Sequence, residues 1–338
     1  MKTLRNAVIA IFAGLILMIS CKKSDIALPK SEANIDSIAS KYYEGYLKMY
    51  PLEATMQGDS RYNDLLSNNI SSEFISKEIE FYTDTQKKLK SIEYDDLSDE
   101  QKTVYDVLDY TLKDKIERYA YHPELMPFSQ FEGLPLDFPL LGSAEGNQPF
   151  KTTKDYDNWL KRIDAFVIWM NTAEKNFREG MKQNVVLPKK LVVKMIPQMH
   201  SEEIITEDFD KNIFYGPIKK MPKNFSAKDK EKYKILYQEA ISSKIIPAYQ
   251  KMGDFLEKEY LPKARNTDGI NALPNGKNIY EYYAKSWTTT NKTPEKINKI
   301  GLQQVAMLRA EMEKVKTQLG FKGSLEQFLT SLKTDKKA

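Results

Sequence analysis

The chain has 338 residues and a formal charge of +4 at pH 7. Charged residues make up 29% and aromatic residues 11% of the sequence, values that are typical of a folded protein and not of a disordered one. Lysines and acids are interspersed, without the basic patch that marks nucleic-acid binders. The composition therefore indicates a globular protein of one or two domains and argues against a nucleic-acid partner.

The first residues have the pattern of an export signal. Lys2 and Arg5 precede an uncharged apolar run over 7–19, which is shorter than the roughly 20 residues that a membrane-spanning helix needs. The run ends in Met18-Ile19-Ser20-Cys21, which resembles a lipobox. We predict that residues 1–20 are a lipoprotein signal peptide and that Cys21 is the site of lipid attachment, acylated with fatty acids such as palmitate. The alternative interpretation is an ordinary buried cysteine.

Residues 21–34 are predicted to be the acylated cysteine and a flexible polar tether. The membrane is then a partner through the lipid anchor, since each buried CH₂ of an acyl chain contributes about 0.8 kcal/mol. The predicted location is the cell envelope. Lys22 stands where known sorting rules would require aspartate for inner-membrane retention, which favours the outer membrane if the cell has two.

The remaining residues, 35–338, predict a mostly α, multi-helical domain. Apolar residues recur every three or four positions from Ile35 to Tyr50, where Pro51 should end the helix and begin a loop. Four further helical features stand out along the chain. They are a helix over 72–92, a capping box at Ser98–Gln101, a long helix over 226–261 with a break at Pro247, and a helix capped by Thr293 that ends before Gly320.

A Pro/Gly-rich loop is predicted around 123–149. Five prolines and three glycines in this stretch exclude a long helix. A loop of this length in a compact domain is either held against the surface as a structural segment or lines a functional cleft. The sequence leaves both alternatives open.

Catalytic motifs are not recognisable. The sequence contains no His-Glu-x-x-His zinc motif, no Gly-x-Ser-x-Gly elbow and no glycine-rich phosphate loop. The two histidines, His122 and His200, are interpreted as surface residues and not as metal ligands. We therefore assign no catalytic, cofactor-binding or metal residue, although a pair of carboxylates that acts together cannot be located from sequence.

An ordered series of short segments resembles the bacterial family called domain of unknown function 885, which is grouped with helical zinc metallopeptidases. One departure is Asn298, where the family often has histidine. The segments that carry the resemblance are Ile246-Pro247-Ala248-Tyr249, Phe255-Leu256, Tyr260-Leu261-Pro262, Leu273-Pro274-Asn275-Gly276, Thr288-Thr289-Thr290 and Thr293-Pro294-Glu295-Lys296-Ile297, with earlier landmarks at 51–58, Gly133-Leu134-Pro135, 159–163 and Leu187-Pro188.

This resemblance implies a lipoprotein of a helical metallopeptidase-like fold. Family members carry a zinc site, a His-Glu pair followed by Pro-Gly-His, that would lie beyond position 338. The sequence is therefore interpreted as an N-terminal part, truncated before the zinc motif and incomplete at its C-terminal end. A full-length member would hydrolyse peptides with zinc-activated water. This chain alone is expected to be inactive and to hold no cofactor, with a peptide as its possible substrate.

Two other functions stay open. One is a non-enzymatic helical lipoprotein that binds peptides or glycans at the cell envelope. The other is an enzyme that uses an unrecognised carboxylate pair. Truncation carries an additional expectation, which is that the last helices leave apolar faces uncovered.

Overall fold

The computed structural model describes residues 30–334, with side chains from residue 35 onward. This part is helical and contains no strand; an isolated parallel bridge joins Pro188 to Arg265. The mostly α, multi-helical fold is thus confirmed. The α-helices are α1 (Lys30–Met49), α2 (Pro51–Met56), α3 (Ser72–Leu89), α4 (Asp99–Arg118), α5 (Leu134–Gly142), α6 (Thr153–Lys182), α7 (Lys189–Met199), α8 (Glu202–Ile205), α9 (Gly216–Lys219), α10 (Ala227–Ala240), α11 (Ile246–Phe255), α12 (Gly276–Thr288), α13 (Pro294–Gln318) and α14 (Leu325–Thr334).

Local signals place several helix ends as the sequence predicts. The Ser98 hydroxyl accepts a hydrogen bond from the Gln101 backbone, and the Gln101 side chain accepts one from the Ser98 backbone. Thr293 caps α13 by accepting from the Lys296 N–H at 3.3 Å. Gly320 follows α13 with a φ of +70°, a conformation that favours glycine.

Proline positions account for the main departures from prediction. The predicted loop after Pro51 contains α2, because proline at the first helical position lacks only an N–H that would be unpaired there. The predicted loop at 123–149 likewise contains α5. The predicted helix 226–261 is divided by π-helical segments at Ile241–Ile245 and Leu256–Tyr260. Each of these segments lies just before a proline that interrupts regular helical hydrogen bonding.

Two hydrophobic cores organise these helices. In the larger core, α6 contributes buried aromatic side chains along its length and packs against α10 and α11. The buried Tyr249 hydroxyl of α11 donates to the Pro135 carbonyl of α5 at 2.8 Å. The smaller core joins α1, α3 and α4 through Ile35, Tyr82 and Leu112. Across residues 30–334, none of the helices combines the length and apolar character needed to cross a bilayer.

A buried arginine on α6 connects the larger core to the segment that follows α1. Arg162 is 0% exposed, and its guanidinium donates to Thr55 Oγ1 at 2.7 Å, to the Tyr62 carbonyl at 3.1 Å and to the Leu65 carbonyl at 3.0 Å. It also donates to Gln148 Oε1. Burial lowers the pKa of Arg162 to about 10. The group therefore stays cationic at neutral pH and depends on these neutral acceptors.

We expect Arg162→Met to lower the free energy of unfolding by about 3 kcal/mol, because several buried acceptors lose their donor and each unpaired group costs about 1–3 kcal/mol. Urea unfolding followed by circular dichroism measures this change. Lys161→Met is the matched control. Lys161 is an exposed neighbour that pairs with Asp64 at 3.0 Å, and its loss should cost less than about 1 kcal/mol. Equal stability of the Arg162→Met variant and the parent would contradict the role assigned to Arg162.

Helix α13 has no buried residue along its 25 positions. Leu302, Val305 and Leu308 are 65%, 65% and 52% exposed, and their spacing places them on one side of the helix. The same apolar stripe continues through Met312, Val315 and Leu319. Helix α13 contacts α12 and α14, yet this stripe is open to solvent within the described residues.

We predict that the α13 stripe binds a hydrophobic dye such as ANS, because contiguous exposed apolar surface is unusual for a soluble protein. The double variant Val305→Gln/Leu308→Gln should reduce the dye fluorescence markedly while leaving the melting temperature nearly unchanged. Ile168→Gln, at a single apolar residue of α6 that is 59% exposed, should have little effect. Undiminished fluorescence of the double variant would show that the dye binds elsewhere.

Candidate ligand-binding groove

A groove of about 650 Å³ lies where the first helices face the larger core. Its volume is within the range of about 300–1,000 Å³ that small-ligand sites occupy. Its lining comes from the end of α1, from α2, from the last turn of α4, from residues between 123 and 137, and from Trp169 of α6. Segments distant in sequence therefore meet around one concavity.

Aromatic side chains give the groove fixed apolar surfaces. The ring centroids of Tyr46 and Tyr50 lie 4.9 Å apart, and those of Phe128 and Trp169 lie 6.3 Å apart. Trp169 Nε1 donates to Asn69 Oδ1 at 2.9 Å, which holds the indole in place. These surfaces can contact apolar or aromatic parts of a ligand.

Gly133 sets the shape of the loop that borders the groove. Its φ is +128°, and a Cβ at this position would lie 2.4 Å from Phe128 Cβ. Both the backbone conformation and the close approach therefore require glycine. The Ser129 N–H donates to the Glu132 carbonyl at 3.0 Å, which closes the turn. The loop thus has a defined conformation in front of α5.

A buried carboxylate lies behind the tyrosines. Glu78 of α3 is 1% exposed and accepts hydrogen bonds from the hydroxyls of Tyr50, Tyr82 and Tyr119. Burial, followed by the charge of Glu78, raises the pKa of Tyr50, and burial and the bond to Glu78 raise that of Tyr119. Tyr50 and Tyr119 also line the groove. The hydroxyl protons of these two tyrosines are therefore engaged by Glu78.

The groove lining carries charges of both signs. Lys115 and Arg118 lie in the last turn of α4. Glu53 of α2 and Glu124, Glu132 and Asp137 are the carboxylates of the lining. Burial, and next the charge of Glu132, raises the pKa of Asp137. A ligand in the groove would therefore meet both cations and carboxylates.

The two histidines lie apart from each other, and both lie outside the groove. His122 is an exposed residue whose Nδ1 lies 2.9 Å from Glu124 Oε1. His200 directly follows Met199, the last residue of α7, and its ring packs against Gly253 of α11. Neither histidine lines the groove.

His200, Asp254 and Glu257 are the described residues that come closest to a metal-ligand set, with ligand atoms within 4.8 Å of one another. His200 Nε2 lies 3.9 Å from Asp254 Oδ1, and the other Asp254 oxygen is paired with Lys258 at 2.8 Å. The two carboxylates are exposed. This open surface cluster does not fit a catalytic zinc, which needs its ligands and a bound water inside a substrate cavity.

The sequence left two alternatives for the segment 123–149, a structural segment held against the surface or the lining of a cleft. Most of the residues between Pro123 and Asp137 line the groove, while Phe138 and Leu141 of α5 are buried in the larger core. The segment is therefore both a groove wall and a packed structural element. Cys21, the predicted lipid-attachment site, lies outside the described residues, so the signal peptide, the domain boundaries and residues 21–29 of the tether remain predictions. Helix α1 begins at Lys30, inside the predicted tether.

Sequence reasoning missed the charged residues of the groove. Lys115 and Arg118 look like ordinary basic residues at a helix end, where they interact favourably with the helix dipole. Glu78 has the appearance of a surface residue of an amphipathic helix. The available signal was the abundance of tyrosine, which the structure places partly in the groove.

Comparison with known proteins identifies relatives of this fold. A crystal structure from Colwellia psychrerythraea, described as that of "the putative lipoprotein", superposes with a TM-score of 0.71 at 18% sequence identity. The match covers 91% of this chain and 55% of the other, so this chain spans about half the length of that protein. No curated protein matches the sequence significantly. The model of a bacterial protein family of unknown function, DUF885, matches residues 51–338, and the chain therefore belongs to the DUF885 family.

Proposed function

We propose that this chain binds peptides at the cell envelope and forms a substrate-binding wall of a metallopeptidase-like protein. The observation that carries the proposal is the groove of about 650 Å³ with fixed aromatic surfaces and polar groups that accept hydrogen bonds. An extended peptide offers N–H donors and apolar side chains, both of which this lining accommodates.

The envelope location rests on the front of the sequence. The short apolar run and the cysteine that follows it, Cys21, have the order of a lipoprotein signal. The similar fold from Colwellia psychrerythraea is described in the same terms. We propose that the mature chain begins at Cys21 and is held on the outer membrane, if the cell has two, by its acyl chains.

Hydrolysis is proposed for the complete family fold and not for the described helices. Zinc-activated water needs about three protein ligands and an open coordination position. The groove lining contains carboxylates but no histidine or cysteine among the described residues. We therefore expect the purified chain to bind peptides without cleaving them. Chelator-sensitive cleavage by the chain, with one zinc retained per molecule, would overturn this expectation.

A non-enzymatic binding lipoprotein is the second candidate. The same lining favours it, because aromatic surfaces and hydrogen-bond acceptors are sufficient to hold a peptide or a glycan. A third possibility uses Glu132 and Asp137 as a carboxylate pair. Cleavage of a peptide or glycoside in the presence of a chelator, lost in Asp137→Asn, would support the third candidate over the first two.

Peptide binding can be tested by filling the groove. Ser67 lines it, and its side chain makes no hydrogen bond within the described residues. We expect Ser67→Trp to weaken binding of short peptides at least about tenfold, a change of about 1.4 kcal/mol, because the indole would occupy ligand volume. Isothermal titration calorimetry of the mature chain measures the affinity.

Ser76→Trp is the matched control, since Ser76 is exposed on α3 and does not line the groove. It should leave the affinity within about twofold of the parent. Circular dichroism and melting temperature should be the same for both variants. If Ser67→Trp binds peptides as tightly as Ser76→Trp does, or if the parent binds none, the groove is not the peptide site.

The lipid anchor is tested separately in cells. We predict that Cys21→Ser abolishes labelling with a palmitate analogue and shifts the protein from the membrane to the soluble fraction, because acyl chains supply the membrane affinity. Ser24→Ala keeps the cysteine and should leave both properties unchanged. Membrane retention of an unlabelled Cys21→Ser protein would require a different anchor.

A further inference from the structure

We propose that His200, Asp254 and Glu257 form a surface site for one divalent transition-metal ion such as zinc, and that the bound ion joins the end of α7 to α11. The site is non-catalytic, and none of the three residues lines the groove. The proposal is therefore independent of the proposed peptide binding. It starts from the observation that the three side chains offer ligand atoms within 4.8 Å of one another.

Gly253 of α11 holds the imidazole of His200 in a position to bind a metal. A Cβ at position 253 would lie 2.4 Å from His200 Nε2 and 2.7 and 2.8 Å from the two ring carbons bonded to it. These nearly equal distances show that the flat face of the ring covers Gly253. The Nε2 lone pair lies in the ring plane, so it runs across the helix surface and is not directed into it. Within residues 35–334, the His200 ring forms no hydrogen bond that would occupy this lone pair.

The two carboxylates approach the imidazole from one segment of the chain. Asp254 lies in α11, and Glu257 lies in the π-helical segment Leu256–Tyr260 that follows it. Helical residues three positions apart lie on the same side. His200 Nε2 is 3.9 Å from Asp254 Oδ1, whereas the other oxygen, Oδ2, is paired with Lys258 at 2.8 Å. One oxygen of Asp254 is thus left for a metal.

The spacing of the ligand atoms requires only a small adjustment. Zinc binds nitrogen and oxygen at about 2.0–2.2 Å, which places two ligands of a tetrahedral ion roughly 3.4 Å apart. The side chains would therefore move by about 1 Å. Their backbones are fixed, because Met199 and Phe255, the neighbours of His200 and Asp254, are buried in the larger core. The cost of organising the site is accordingly limited to the turning of partly exposed side chains.

The donor set determines the class of metal. Imidazole suits zinc, copper and nickel, whereas calcium and magnesium prefer oxygen ligands alone. Three protein ligands leave a further coordination position for water. The negative charges of Asp254 and Glu257 repel each other, and a divalent cation between them removes this repulsion. Because His200 follows α7 and packs on α11, the ion would connect two helices that already contact each other.

The test titrates zinc into the mature chain carrying Cys21→Ser, in which no thiol is available to bind the metal. Calorimetry should show one zinc ion per chain. The melting temperature should rise with zinc, because a ligand that binds the folded state stabilises it. His200→Gln, Asp254→Asn and Glu257→Gln should each weaken zinc binding at least about tenfold and reduce this rise. Magnesium should give neither effect, and equal binding of magnesium would contradict the assignment to a transition metal.

His122→Gln is the matched control, since His122 is the other histidine of the chain and lies beside one carboxylate, Glu124. It should leave the zinc affinity within about twofold of the parent. Asp254→Asn changes an exposed side chain and keeps the imidazole on Gly253, so its melting temperature without zinc should match that of the parent. The proposal is overturned if the parent binds no zinc, or if binding survives both His200→Gln and Asp254→Asn.

Discussion

The hydrogen bonds of Arg162 hold the groove together. Its guanidinium joins α6, the segment from Thr55 to Leu65 and Gln148 at the end of the Pro/Gly-rich segment. Residues close to these segments along the chain, such as Leu66 and Trp169, line the groove. A charge buried among neutral acceptors is stable only while all of them stay in place. The geometry of the site is thus coupled to the packing of the larger core.

Glu78 likewise connects helices through hydrogen bonds of a buried charged group. By accepting from three tyrosines, it fixes the ends of α1 and α4 relative to α3. Two of these phenols continue into the groove, so a buried structural group also decides the hydrogen-bonding character of the exposed surface. Tyr50 and Tyr119 therefore belong both to the buried hydrogen-bond network of Glu78 and to the groove lining. A change at either residue would alter the stability of the fold and the groove surface together.

The sequence revealed the features that depend on neighbours along the chain. The Ser98 and Thr293 caps need only a few consecutive residues, and the helices carry their own periodicity. The groove could not be predicted in this way, because Glu53, Arg118, Asp137 and Trp169 meet only through tertiary packing. Arg162 looks like a polar residue on an amphipathic helix, and its burial follows from acceptors about a hundred positions away. The π-helical segments also escaped prediction, because proline signals an interruption but not how a helix adapts to it.

Those two π-helical segments constrain how the protein can vary. Each turn between Ile241 and Ile245 or between Leu256 and Tyr260 holds more residues than an α-helical turn. Loss of one residue from the first segment would return this turn to the α-helical residue count and leave the direction of the following helix unchanged. Loss of a residue from the regular helix α10 would instead rotate the residues beyond it by roughly 100°, and Tyr249 would then leave the Pro135 carbonyl that it reaches at 2.8 Å. Single-residue deletions should accordingly be tolerated in the π-helical segments and not in the regular helix before them.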